Sequence, residues 1–239
     1  MLLAPLTNTL NKKLISAVKS NDLVLVKRLL KGEAVNNDID CSLRWSVFNN
    51  YLEVVKFLVR KGANIHAHND EALRESSRLG HFEIVKFLVT QGANIHADDD
   101  YPLRGAAAEG HLEIVKFLVT HGASIHANNA HALRRSAVLG HLEIVKFLIT
   151  QGANIHANDD EALKMSASNE HYDVWKVLSA FIQEEKLLVA ASDSMLVLPA
   201  VASVALVAAV GSMVREHHSV ESAPHTKQQS ITKIKISKI

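Results

Sequence analysis

Residues Gly110–Ala127 read GHLEIVKFLVTHGASIHA, and this stretch decides the fold because it is one copy of several. Gly62, Gly92, Gly122 and Gly152 stand 30 residues apart, and Gly-His recurs at 80–81, 110–111 and 140–141. YLEVVKFLVR, HFEIVKFLVT and HLEIVKFLIT occupy the matching places in the other copies. Self-similarity at a fixed period of this size marks a solenoid, in which each unit buries its apolar side on its neighbours.

Two helices follow from the residues of one copy. In the second, Leu112, Val115, Leu118 and Val119 are expected on one face, with Glu113, Lys116 and Thr120 on the other. Gly122 stops it, since glycine takes the left-handed conformation common just past a helix end. The first helix, residues 102–109, is short and rich in small residues (Ala106, Ala107, Ala108), which lets neighbouring copies approach closely. Asp40, Asp70, Asp100 and Asp160 precede the first helices at the same period and are placed to cap them. Ala130 breaks that column, so the helix after it is expected to start less well.

Four regular copies, at about 39–68, 69–98, 99–128 and 129–158, are flanked by two divergent ones. Residues 11–38 form the first: Leu14, Ala17, Leu23, Val26, Leu29 and Leu30 keep helical spacing. Its lysines (Lys12, Lys13, Lys19, Lys27) suit a terminal unit with one side in water. Residues 159–185 form the sixth, where Asn169-Glu170-His171 replaces Leu-Gly-His and the closing Gly-Ala is lost. Residues 1–10 lead in, 186–214 read as a hydrophobic C-terminal helix, and 215–239 as a basic flexible tail.

Hydrophobic residues make up 48% of the 239 but aromatic residues only 5%, which suits small aliphatic packing. The single cysteine, Cys41, excludes an internal disulfide framework and fits a reducing, cytoplasmic setting. Of 26 Lys/Arg and 25 Asp/Glu, five and two lie in residues 215–239, leaving 21 against 23 before them. That balance gives no electrostatic ground for binding nucleic acid. The start, MLLAPLTNTLNKK, has too short an apolar run for a secretory signal.

The run Pro102-Leu103-Arg104-Gly105-Ala106-Ala107-Ala108-Glu109-Gly110-His111, followed by Val115, Leu118 and Gly122-Ala123, resembles the ankyrin repeat. The likeness covers roughly residues 11–185, in six copies. The period of 30 and the wording GHLEIVKFLVT look most like ankyrin proteins of large DNA viruses that infect amoebae. The family repeat is about 33 residues long and opens Thr-Pro-Leu-His. The missing residues fall between Gly122 and Leu133. The resemblance therefore implies an all-α solenoid of six stacked helix-turn-helix repeats with shortened β-hairpin fingers. Thr-Pro-Leu-His survives only as x-Pro/Ala/Ser-Leu-Arg/Lys, which leaves no histidine at the family's place for a hydrogen-bond ladder.

No phosphate loop, nucleophile elbow or His-Glu-x-x-His motif is present, and the plentiful carboxylates repeat at the structural period. No catalytic, cofactor-binding or metal residue is expected, and hence no enzyme. Two histidine columns tempt a metal reading: His66, His96, His126 and His156, and His81, His111, His141 and His171. Members of a column stand roughly 8–10 Å apart, one interhelical distance. They cannot converge on an ion.

Arg44, Arg74, Arg104, Arg134 and Lys164 form a structural column in the first turn of the first helices, where a cation opposes the macrodipole. Bidentate pairs with carboxylates of neighbouring copies would offset this, and a stripe that reads an acidic partner is the alternative. Residues 45, 75, 105, 135 and 165 read Trp, Glu, Gly, Arg and Met, while 48, 78, 108, 138 and 168 read Phe, Arg, Ala, Val and Ser. Positions that vary inside a constant frame are free for recognition. The family resemblance places first helices and fingers on a concave, protein-binding face. On that ground Trp45, Phe48, Glu75, Arg78, Tyr101, His131 and Arg135 are the candidate contacts. Packing of Trp45 and Phe48 against the first copy is the other reading. The expectation is a non-enzymatic, monomeric scaffold that binds another protein in the cytoplasm, a host protein if the viral likeness holds.

Residues 195–214, MLVLPAVASVALVAAVGSMV, run uncharged for twenty residues, about 30 Å as a helix. Arg215, Lys227, Lys233, Lys235 and Lys238 follow, whereas Pro199, Ser203, Gly211, Ser212 and the many alanines weigh against insertion. A membrane-tethered adaptor and a helix folded over the open end of the sixth copy are the two readings. Towards an F-box the tail offers only Leu198-Pro199.

Overall fold

The computed structural model describes residues 4–31 and 38–194, so the uncharged run 195–214 and the basic tail lie outside the described residues. Twelve α-helices and no strand occur among the described residues. The first helices of successive pairs are α1 (Ala4–Lys19), α3 (Asp38–Phe48), α5 (Ala67–Arg78), α7 (Ala97–Ala108), α9 (Ala127–Val138) and α11 (Ala157–Ser168). Their partners are α2 (Leu23–Leu29), α4 (Leu52–Arg60), α6 (Phe82–Thr90), α8 (Leu112–Thr120), α10 (Leu142–Thr150) and α12 (Tyr172–Ser194). Among the described residues no helix is long and apolar enough to cross a membrane.

Each pair contributes the same leucines to the core. Leu43, Leu73, Leu103 and Leu133 on the first helices, and Leu58, Leu88, Leu118 and Leu148 on the second, are fully buried. Burying one such side chain is worth about 1.5–3 kcal/mol. The buried stripe of α8 is Ile114, Val115 and Leu118. Leu112 and Val119, expected on it, are half-exposed. At about 100° per residue they sit on its flanks. Past α8, the Gly122 N–H bonds the Val119 carbonyl at 3.0 Å and the Ala123 N–H the Leu118 carbonyl at 2.9 Å. With Gly122 at φ +100°, this is the Schellman close expected of a glycine stop.

The two rows of helices are spaced differently, and side-chain size is the reason. Neighbouring first helices from α3 to α11 pack along their length, whereas neighbouring second helices touch at few points. The first row buries Ala72, Ala106, Ala107, Ala132, Ala137 and Ala162. The second row meets through rings such as Phe82 and Phe117, edge to face at 5.8 Å.

The loops between pairs are where the structure departs from expectation. Three consecutive residues adopt left-handed backbone in each: His68-Asn69-Asp70, Asp98-Asp99-Asp100, Asn128-Asn129-Ala130 and Asn158-Asp159-Asp160. Their φ values span 48° to 61°. Asn and Asp tolerate this region better than other non-glycine residues, because their short polar side chains bond locally. The shortened finger is this turn, and the right-handed part of α7 begins directly after it at Tyr101, one residue before the expected start at Pro102.

Asp70 and Asp100 are therefore not helix caps, since a cap residue typically takes extended backbone. Instead the Asp40, Asp70 and Asp100 carboxylates accept the N–H groups of Asn64, Asn94 and Ser124, each at 2.8 Å. Each bond ties one loop to the next. Asp70 and Asp100 are only 4% and 5% exposed, so the bonds are dry. At Ala130 the fault is a missing tie to Asn154, not a poor helix start. Ala130 also holds φ +52° with no polar side chain to support it.

At the C-terminal end, α12 spans 23 residues, against nine for α10. Ile182 stands where glycine closed the earlier copies, so nothing stops the helix. Val174, Leu178, Phe181 and Ile182 bury its apolar side.

Ala130→Asp is expected to raise stability by about 1–2 kcal/mol, through a restored buried hydrogen bond and a better left-handed residue. Denaturant unfolding of the two proteins measures it. A gain matched by Ala130→Gly would trace the whole effect to backbone strain and remove the hydrogen bond from the account.

Candidate recognition surface

The arginines at the start of the first helices fold back onto the left-handed turns. Arg74 donates from Nε to the Asn69 carbonyl at 2.9 Å and from Nη2 to that of His68 at 3.0 Å. Arg104 does the same to Asp99 and Asp98, both at 2.8 Å, and Arg134 to Asn129 and Asn128, at 2.9 and 3.2 Å. A planar fork suits two adjacent carbonyls as a point charge would not. The third nitrogen is left to reach the following loop. Arg74 Nη1 meets Asp98 at 3.4 Å, and Arg134 Nη1 bonds Glu161. Arg44 pairs with Glu71 at 2.9 Å through Nε. These pairs are single contacts, not bidentate, because in Arg74 and Arg134 the fork is already on the carbonyls. Asn158 and Arg134 together hold the Glu161 carboxyl below its usual range. Lys164 is exposed.

Along the same row lie the residues singled out for recognition. Trp45 and Phe48 are 42% and 56% exposed. With Cys41, Val47 and Ala72 they line a groove of about 470 Å³, rimmed by Arg44, Glu71 and Glu75. The Lys19 ammonium stands 4.7 Å over the Trp45 ring, a cation–π contact. Cys41, Val47 and Ala72 were not foreseen. Their only signal is position, since residues 41, 45 and 48 share a helix face.

The other candidates do not converge on that groove. Arg78 bonds Glu75 through Nε and Nη2 at 3.1 and 2.9 Å, and Glu75 raises the guanidinium's affinity for its proton. The Tyr101 ring lies 5.4 Å from the Arg74 guanidinium and 5.6 Å from that of Arg104. His131 is half-buried, and its Nδ1 is buried with no partner among the described residues. Burial first, then the charges of Arg104, Arg134 and Arg135, lower its pKa. Arg135 is exposed.

The histidine columns join copies. His81, His111 and His141 hydrogen-bond through Nε2 to the carbonyls of Phe48, Arg78 and Ala108, at 3.3, 2.9 and 2.9 Å. Each of these carbonyls ends the previous first helix. Gly80 and Gly110 lie beneath the next ring, where a Cβ would come within 2.6 and 2.9 Å of it. That close approach, with φ of +80° and +84°, requires glycine. In the last copy the Asn169 amide takes the Val138 carbonyl at 2.9 Å instead. His66 and His96 bond Asp70 and Asp100 at 2.9 and 3.0 Å. No group of three or more His, Cys, Asp or Glu side chains is placed to hold a metal among the described residues.

His156 is different, because it bridges Asp160 at 2.6 Å and Glu185 of α12 at 2.9 Å. The bond to Glu185, then that to Asp160, raises its pKa. A raised folded pKa means stability present in full below the unfolded value of about 6.5 and lost as pH rises through the folded one. His156→Gln is therefore expected to be less stable than the parent at about pH 6, with the two unfolding curves converging by about pH 8. A constant offset across that range would show that the charge on His156 plays no part.

The ankyrin-repeat family, described as ankyrin repeats in 3 copies, matches residues 14–99, 73–159 and 103–186. A stretch of 57 residues is 35% identical to the probable palmitoyltransferase AKR2 of Saccharomyces uvarum. It covers 22% of this chain and 8% of that protein, so the chain spans a small fraction of that relative's length. With matches that run from residue 14 to 186, over a fold of stacked helix pairs joined by short turns, this chain belongs to the ankyrin-repeat family.

Proposed function

We propose that the chain is a non-enzymatic scaffold that binds another protein along its first-helix row, anchored in the groove at Trp45 and Phe48. The observation that carries this is the pair of large aromatic side chains held open on a row that otherwise buries alanine. Aromatic anchors in a pocket with a polar rim are the usual centres of binding energy. The groove's rim charges, Arg44, Glu71 and Glu75, orient a partner's polar groups around that centre. The repeat family supports the class of function, since ankyrin repeats bind other proteins. The likeness to viral ankyrin proteins rests on the period of 30 and the repeat wording. With it go a host protein as partner and the cytoplasm as the place.

Trp45→Ala with Phe48→Ala tests the anchor. Each truncation of such an anchor costs about 2 kcal/mol, so the double variant is expected to lose its captured protein from cytosol. Both side chains are largely exposed, so the melting curve is expected to change little. A protein retained equally by parent and double variant would move binding off this groove.

The second reading, a membrane-tethered adaptor, is favoured by the uncharged run 195–214 in the sequence. If that run inserts, Val207→Lys is expected to shift the full chain from carbonate-washed membranes to the soluble fraction. Parent protein found wholly in the soluble fraction would end the tether.

A further inference from the structure

Residues 104 and 131 are where the repeating frame leaves a charge unanswered. Arg44 meets Glu71 and Arg134 meets Glu161, in each case 27 residues on. Arg74 has Tyr101 at that offset and turns to Asp98 instead. Arg104 has His131 at the same offset and Asn128 in place of Asp98. Its Nε and Nη2 are held by the carbonyls of Asp99 and Asp98, and no ion pair reaches it among the described residues. Three nearby carboxylates are already engaged. Asp98 faces Arg74, Asp100 takes the Ser124 N–H at 2.8 Å, and Glu161 receives both Arg134 and the Asn158 amide. Arg135 is exposed and also makes no ion pair among the described residues.

We propose that Arg104, His131 and Arg135 form a subsite for an acidic side chain, aspartate or glutamate, of the protein partner. This rests on the protein-binding reading above. An incoming carboxylate takes the place that Glu71 and Glu161 hold beside the equivalent arginines. Arg104 Nη1 and Arg135 donate to it, and charge-assisted bonds of this kind are the strong ones. His131 responds to its arrival. Arg104 from α7, Arg134 and Arg135 from its own helix, and Glu161 from α11 are the charged groups that act on it. Three cations against one carboxylate, together with burial, disfavour the protonated ring in the free protein. A second carboxylate shifts that balance, so the ring takes up a proton as the ligand binds. Binding is accordingly tighter at lower pH.

The test uses the full chain and a fluorescein-tagged tetraglutamate peptide, read by anisotropy, with the His131 ring followed by NMR. The glutamate peptide is expected to move the His131 resonance and raise its titration midpoint, while a tetraglutamine peptide leaves both in place. Arg135→Gln is expected to weaken binding by roughly tenfold with an unchanged melting curve, as loss of one charge-assisted contact does. His131→Glu supplies the missing acid from within, as at Glu71 and Glu161. It is expected to abolish peptide binding while raising thermal stability, an outcome that misfolding could not produce. Arg104→Gln, with its melting curve recorded, serves as the second arm. The proposal is overturned if tetraglutamate leaves His131 unmoved, or if Arg135→Gln and His131→Glu bind it like the parent. It is equally overturned if inorganic phosphate moves His131 as far, which would make this a site for any small anion. The peptide stands in for the partner, so failure here leaves the wider reading to the Trp45 and Phe48 variants.

Discussion

An aspartate carboxylate in one loop and a backbone N–H in the next, 2.8 Å apart at three successive places, fix the register of this stack. At Asp70 and Asp100 a left-handed turn aims the carboxylate along the row rather than at its own helix. That turn costs energy at every non-glycine residue. In three of its four occurrences two of its carbonyls are gripped by the arginine five and six residues on, and Asn and Asp fill most of its positions. The arginine in turn is fixed by the grip, so its remaining nitrogen points towards the neighbouring loop. Turn, clamp and inter-loop bond therefore form one mechanical unit.

The close first-helix row follows from that unit together with side-chain size. Loops held in register bring first helices together, and alanines let them approach. The second row meets through phenylalanine rings such as Phe82 and Phe117 and is the looser of the two. Recognition residues need a surface whose neighbours do not move. Trp45 and Phe48 have one, because the buried side of their helix carries Leu43 and Val47. A stack of this kind is stabilised by contacts between neighbours, so a weak junction is felt locally.

The period of 30 made the helix pairs legible, and the glycines made the second-helix ends legible, because both signals are local or strictly repeated. The turns were not legible. An aspartate just before a helix is read as a cap by any local rule, and its real partner lies 24 residues away in another loop. The arginine column posed the right question about the macrodipole, but carbonyls of its own turn are the larger part of the answer. At the candidate surface, variable columns located Trp45, Phe48 and Glu75. That Arg78 would close onto Glu75, and that Cys41, Val47 and Ala72 would complete a groove, required the helices to be placed in space.

Departures from the frame also carry weight that no single copy reveals. Ala130 forgoes the inter-loop bond that Asp70 and Asp100 make, and His131 forgoes the acid that Glu71 and Glu161 supply. These two adjacent losses fall in a loop whose neighbours on the row include an exposed Arg135 and a half-buried ring with an unpartnered nitrogen. Copies elsewhere in the same chain show that a better-bonded alternative fits this backbone. Where local rules are broken without compensation inside the fold, the compensation is sought outside it, in what the surface binds. The groove at Trp45 and the charge around His131 lie at different points along one row, so a partner spanning both would be read by an apolar anchor at one end and an acid at the other.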